Sequence, residues 1–225
     1  MKLLQLLVLS FTICLYSNCA NAQESQTIDS LFKLLDDEMI DSNQMMINKS
    51  IAEYYFNLNL NKAIDYFEKS KYLSEKLNDK AELASNYYNL GSCYLSKGKF
   101  DLSLENYLKA VRLYEELKYK RRLIKAYIDI AYLFTEYSHY AKAQEYFEKT
   151  KLLIDQTQDT FELNYYFQEK GNFYYRQAKY DSAILCTMES YRLAVQLKND
   201  NYTIPNTLSN IGLLYKKMGR LDDAH

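Results

Sequence analysis

The segment YYNLGSCYLSKGKF at Tyr87–Phe100 returns as YIDIAYLFTEYSHY at Tyr127–Tyr140, as FQEKGNFYYRQAKY at Phe167–Tyr180 and as LSNIGLLYKKMGRL at Leu208–Leu221, in steps of 40, 40 and 41 residues. This repetition constrains the fold more than any local motif. A fixed period of about 20–50 residues marks a solenoid, in which each unit buries its apolar face only against its neighbours. A second block carries the same period: KAIDYFEKSKYL from Lys62 and KAQEYFEKTKLL from Lys142 agree at eight of twelve positions and lie 80 residues apart.

Small residues hold fixed places within each repeat. They are Gly91, Ala131, Gly171 and Gly212 in the first block, and Ala63, Ser103, Ala143, Ala183 and Ala224 in the second. Large ones sit at fixed offsets from them: Tyr94, Phe134, Tyr174 and Tyr215 three residues after the first small site, and Leu60, Phe100, Tyr140, Tyr180 and Leu221 three before the second. Positions three and four apart share a helix face. The pattern therefore predicts two helices per repeat that close tightly where the small residues meet, with rings filling the gaps above and below. One proline and five glycines leave few breakers of regular structure, so the chain is expected to be all-α.

Tyr87, Leu90-Gly91, Tyr94, Gly98, Phe100, Ser103, Tyr107 and Ala110 together resemble a tetratricopeptide repeat, and the resemblance runs from about Gln44 to His225. It implies a right-handed α-solenoid of antiparallel helix pairs. Departures are visible: Tyr87, Tyr127, Phe167 and Leu208 stand where the family often has tryptophan, Lys170 replaces an apolar residue, and Thr187 replaces an aromatic. The usual proline between repeats is missing as well. A forty-residue period exceeds the common one of about 34 and implies helices longer by about a turn and a half, similar to kinesin light chains and bacterial peptide-sensing regulators. The first helices of the repeats are expected near 42–57, 80–97, 121–137, 160–177 and 205–218, and the second near 61–77, 100–118, 140–156 and 180–198. Gly98, Ser138 and Gly219 fall in turns within repeats, while Asn78-Asp79 and residues 198–201 join them.

Ahead of the array, MKLLQLLVLSFTICLYSNCANAQ has a lysine, an apolar run and a small-residue site, the pattern of a secretory signal over residues 1–22. Export to a periplasmic or other extracytoplasmic compartment follows as an expectation. A retained anchor is disfavoured because the run is shorter than the roughly 20 residues needed to span a bilayer. A lipid anchor at Cys19 fits poorly behind Asn18. Residues 23–41 contain TIDSLFKLLDD, with Thr27 as N-cap and a stripe of Ile28, Leu31, Phe32 and Leu35, which reads as a capping helix. Residues 42–225 make four full repeats and a truncated fifth. That fifth repeat stops at LDDAH as its second helix begins, so the chain is expected to be part of a longer protein.

Catalytic signatures are absent: there is no CxxC, HExxH or glycine-rich phosphate loop, and the only histidines are His139, in a turn, and His225, the last residue. We therefore expect neither enzymatic activity nor a cofactor or metal. Cys93 and Cys186 read as small buried hydrophobes rather than disulfide partners, since they sit two repeats apart on different helix types. Asp36-Asp37-Glu38 and Asp222-Asp223 are consecutive and point in different directions on a helix, so they read as solvated surface. Lys plus Arg number 28 against 29 for Asp plus Glu, which gives no electrostatic reason to expect nucleic acid, and the basic run Lys118–Arg122 falls in a joint between repeats. The glycosylation-like triplets at Asn48 and Asn201 are too short to carry weight.

What the resemblance implies is a ligand groove lined by the first helix of each repeat. Carried over by position, the groove presents Tyr88, Asn89, Ser92 and Ser96 from the second repeat, and Lys125, Asp129, Tyr132 and Glu136 from the third. The fourth adds Tyr165, Gln168, Glu169, Asn172, Tyr175 and Arg176, and the fifth Asn206, Asn210, Leu213 and Lys217. Asn89 and Asn210 stand where asparagine in the family often bonds a peptide backbone. Asp129 and Glu169 are acidic at the equivalent places, so the basic clamp for C-terminal carboxylates is not assembled. Tyr88, Tyr132, Tyr165 and Tyr175 fall on the groove stripe, where they serve either as contact surface or as packing. The partner expected is a protein or peptide. Two functions follow: an exported, non-catalytic interaction scaffold, or the extracytoplasmic sensor of a membrane signalling protein with a kinase or DNA-binding domain beyond His225, an architecture resembling that of Bacteroidetes-like bacteria.

Overall fold

The computed structural model describes residues 28–35, 40–197 and 203–219, and every regular element among them is an α-helix. Residues 1–22, read above as a signal, with Cys14 and Cys19, and also Thr27, Asp36-Asp37-Glu38, the joint at 198–201 with its Asn201 triplet, the side chain of Asn206, and the end from Leu221 to His225 lie outside the described residues.

The chain divides into two compact units, Met1–Lys97 and Gly98–His225. The first contains α1 (28–35), α2 (Asp41–Tyr55), α3 (Leu60–Lys76) and α4 (Lys80–Ser96). The second contains α5 (Phe100–Glu116), α6 (Lys120–Glu136), α7 (Tyr140–Thr157), α8 (Thr160–Arg176), α9 (Tyr180–Gln196) and α10 (Thr203–Lys217). The bounds of α2 to α10 lie within two residues of those expected from the repeat.

The period reappears in the backbone. Asn78, Lys118 and Gln158 adopt left-handed φ of 53°, 58° and 52°, and Gly98, Ser138 and Ala178 adopt 67°, 60° and 58°. A left-handed residue thus closes a helix every twenty residues, and Gly219 at 72° continues the series. Around most of these residues the chain makes the paired bonds of a Schellman turn, such as Tyr119 N–H to Tyr114 O and Lys118 N–H to Glu115 O, or Lys179 N–H to Tyr174 O and Ala178 N–H to Tyr175 O. Asp79 and Asp159 then cap the next helix, each carboxylate accepting from two backbone N–H groups.

The small residues do close the helix pairs. Ala63, Ser103, Ala131, Ala143 and Ala183 are fully buried. In the first unit Ala52, Ala63, Phe67, Leu90 and Cys93 form one cluster, and Ile28 of α1 joins Ile47 and Ile51 in another, with Leu31, Phe32 and Leu35 against it. In the second unit α6 packs against α5, α7 and α8, and α9 lies between α8 and α10. Cys93 and Cys186 are free thiols, and burial pushes Cys93 up to about 12.

Lys170, at a position expected to be apolar, is buried. Its ammonium donates to Gln144 Oε1 at 2.6 Å and lies 4.6 to 5.4 Å from the centroids of Phe147, Phe173 and Tyr174. Burial lowers its pKa to about 8, and the rings partly replace the lost water. Arg121, from the basic run, pairs with Asp159 at 2.9 Å and Glu162 at 3.6 Å. His139 is an exposed turn residue, as its position in the repeat predicts.

Candidate ligand cavity

The site lies within the second unit and is built from the first helices of three successive repeats. On α6, Asp129, Tyr132 and Glu136 follow one another at spacings of three and four and so share a face. The neighbouring α8 repeats this stripe with Tyr165, Glu169, Asn172 and Arg176. Two ties hold the stripes in register. The Tyr165 hydroxyl donates to Asp129 Oδ1 at 2.5 Å, and Arg176 Nη2 donates to both carboxylate oxygens of Glu136 at 2.6 and 2.7 Å. Both join residues 36 or 40 apart in sequence, one repeat apart in the fold.

Beyond these ties a cavity of about 460 Å³ opens between α6, α8, α9 and α10. Tyr132 stands on one side, and α8 contributes Gln168, Glu169, Gly171, Asn172 and Tyr175. Thr187 of α9 lies at its base, and α10 supplies Thr207, Asn210, Leu213 and Leu214.

Register explains why the space is there. The place of Thr187 is filled in earlier repeats by Phe67, Tyr107 and Phe147, all fully buried. Phe147 meets Phe173 edge-on with centroids 5.3 Å apart; one repeat later, with the last step 41 residues long, the corresponding pair is Thr187 and Leu214. The ring is missing and the cavity reaches into its place. The Thr187 hydroxyl is turned back to its own helix, donating to Ala183 O at 2.8 Å. Opposite it, a Cβ on Gly171 would stand 3.0 Å from Thr187 Oγ1, so glycine keeps α8 and α9 close.

Electrostatically the cavity is acidic. The Glu169 pKa is pushed up to about 7, chiefly by burial and then by Asp129, with Glu136 adding to the effect and a hydrogen bond from Asn172 opposing it. The charges that raise it are both negative. Tyr132 is raised by burial and by Glu136 and Glu169, and Tyr165 is raised strongly by burial and by Asp129.

Of the residues placed on the groove from sequence, Tyr132, Glu169, Asn172, Tyr175 and Asn210 come together on this cavity, with Gln168 and Leu213. Asp129, Tyr165 and Arg176 do not line it but are engaged in the ties between α6 and α8. Lys125 is exposed on α6. Tyr88, Asn89 and Ser92 lie on α4 in the other unit, where Tyr88 is buried and the Ser92 hydroxyl donates to the Tyr88 carbonyl. Gly171, Thr187, Thr207 and Leu214 line the cavity without having been singled out as ligand residues. The signal that could have found Thr187 is its departure from an aromatic register. Among the described residues no cluster of three His, Cys, Asp or Glu could hold a metal ion, and no helix is long and apolar enough to cross a membrane.

The tetratricopeptide repeat family matches residues 44–116 and again 82–150. Regulatory protein RapG of Bacillus subtilis (strain 168) is 24% identical over 169 residues, 70% of this chain and 45% of its own length. Among solved structures, a Rap protein in complex with competence and sporulation factor superposes with a TM-score of 0.76 at 17% identity, over 87% of this chain and 55% of the other. NprR in complex with its cognate peptide NprX gives 0.71 at 19% identity, over 89% and 57%. The fold is thus that of tetratricopeptide-like α-solenoids. The chain spans about half the length of these relatives.

Proposed function

We propose that this chain is a non-catalytic interaction module that holds a polypeptide segment in the cavity between α6, α8 and α10. The observation that carries this reading is the gap at Thr187: three repeats fill the position with a buried ring, and the fourth leaves a cavity of about 460 Å³ beside amide-bearing side chains. Gln168, Asn172 and Asn210 offer both donors and acceptors, which suits a peptide backbone, and Tyr132 and Tyr175 add contact area at low entropic cost. The complexes of NprR with its cognate peptide and of Rap with competence and sporulation factor support the reading, because each is a relative by fold.

A second reading places the same cavity in the sensor part of an exported signalling protein. RapG, of which this chain spans 45%, is a regulatory protein, which agrees with this reading and with the first alike. Export itself is proposed from the leader-like residues 1–22.

Thr187→Phe tests the first reading. It restores the ring of the other repeats, so the variant is expected to fold and to gain stability while closing the cavity. With a random peptide library displayed on phage, the native chain is expected to enrich sequences that Thr187→Phe does not retain. Equal retention by a folded Thr187→Phe, or no enrichment by the native chain, overturns the reading.

A further inference from the structure

Resting on the proposed peptide site, we infer that the segment it holds is basic, inserting a lysine or arginine side chain into the cavity with its charged head at Glu169 and its aliphatic stem against Leu213 and Leu214.

Charge complementarity carries this. Glu169 lines the cavity, and the charges acting on it most strongly are Asp129 and Glu136, so three carboxylates bear on one space. Asn172, its hydrogen-bond partner, is neutral. The guanidinium at the edge of this group, Arg176, is committed to Glu136 through both carboxylate oxygens, which leaves Glu169 without its help. An entering cation would lose water but gain Glu169 in surroundings where attraction is stronger than in bulk solvent. The rest of the lining suits the same side chain. Leu213 and Leu214 give an apolar wall for methylenes, and Tyr132 and Tyr175 offer ring faces to a cation. An acidic or C-terminal group would instead meet the Glu169 carboxyl, with Asp129 behind it.

The experiment uses the full chain and peptides enriched from the random library. Each enriched peptide is resynthesised with its Lys or Arg replaced by norleucine, and both versions are titrated against the native chain and Glu169→Gln. We expect enriched sequences to share a basic residue at one position, the native chain to prefer the basic version by about tenfold or more, and the ratio to fall to about one in Glu169→Gln. Glu169→Asp keeps the charge and is expected to keep a preference, so a folding defect in the Gln variant leaves the inference testable. Enrichment of neutral or acidic sequences, or a ratio unchanged by Glu169→Gln, overturns the inference and leaves peptide binding standing. Failure to enrich any peptide overturns both.

Discussion

Glu169 is the residue at which structure and solution behaviour should be most clearly linked. Its carboxyl is raised from 4.5 to about 7 in the folded chain, so between these values the folded form holds a proton that the unfolded form has released. The stability this contributes is present in full below about pH 4.5 and is lost as pH rises through about 7. Above pH 7 the native state carries a half-buried carboxylate beside Asp129 and Glu136, with Tyr132, Tyr165 and Arg176 also near; Thr187 of α9 and Thr207, Asn210, Leu213 and Leu214 of α10, which line the same cavity, are uncharged. Glu169→Gln removes this penalty. Urea unfolding at pH 8 is expected to show the variant more stable by roughly 1–3 kcal/mol, with the gap closing by pH 4.5; a gap independent of pH would exclude Glu169 as its source. The sequence placed Glu169 on the groove stripe through the tetratricopeptide resemblance, since spacing alone says which residues share a face and not which face meets a ligand. Its protonation was not legible, since it depends first on burial and then on carboxylates 33 to 40 residues away that only the register of α6 against α8 brings close.

Among the elements, the helices were legible almost to the residue because glycine and proline are scarce and the period is regular. The joints were less so. Gly98, Gly219, Ser138 and Asn78 carry recognisable turn chemistry, whereas Lys118, Gln158 and Ala178 adopt the same left-handed φ with no residue preference to announce it. Register decides their conformation: the Schellman bonds of each joint and the packing of the helices on either side impose a backbone that a side chain with a Cβ resists by about 1 kcal/mol or more. Ala178→Gly should therefore stabilise the protein, by about 0.5–1 kcal/mol after the loss of unfolded-state restriction, read as a higher urea midpoint with an unchanged slope. Asn78→Gly is expected to do less, because asparagine already tolerates this region. A fall in midpoint for Ala178→Gly would mean that its methyl is needed in the joint. The cavity obeys the same logic in reverse. Its helix-borne polar lining could be read from the repeat, but Thr187 could be read only as an exception, and an exception in sequence does not say whether neighbours close the gap or leave it open.

At the scale of the whole chain, a solenoid distributes stability between neighbours, so a local change should be felt in the adjoining helices and fade beyond them. The burial pattern already grades the second unit: α6 buries eleven of its seventeen residues and touches α5, α7 and α8, whereas α10 packs on α9 and keeps Leu208 and Leu213 half exposed. Amide exchange should follow, slowest in α6 and fast in α10. Thr187→Phe adds a ring where α8, α9 and α10 meet, and burying one is worth about 1.5–3 kcal/mol. If the ring settles there, opening α10 must first break its contact with Leu214, which slows exchange in α10 by about ten- to a hundredfold. Helices α2 to α4, in the other unit, supply none of the lining residues named for this cavity and should exchange as before. Hydrogen exchange followed by mass spectrometry on the native chain and the variant reads both at once. Slowing confined to the second unit, strongest in α10, is the expected result; unchanged α10 amides in a folded variant would mean that the ring stays outside and that the missing aromatic is not what opens the cavity.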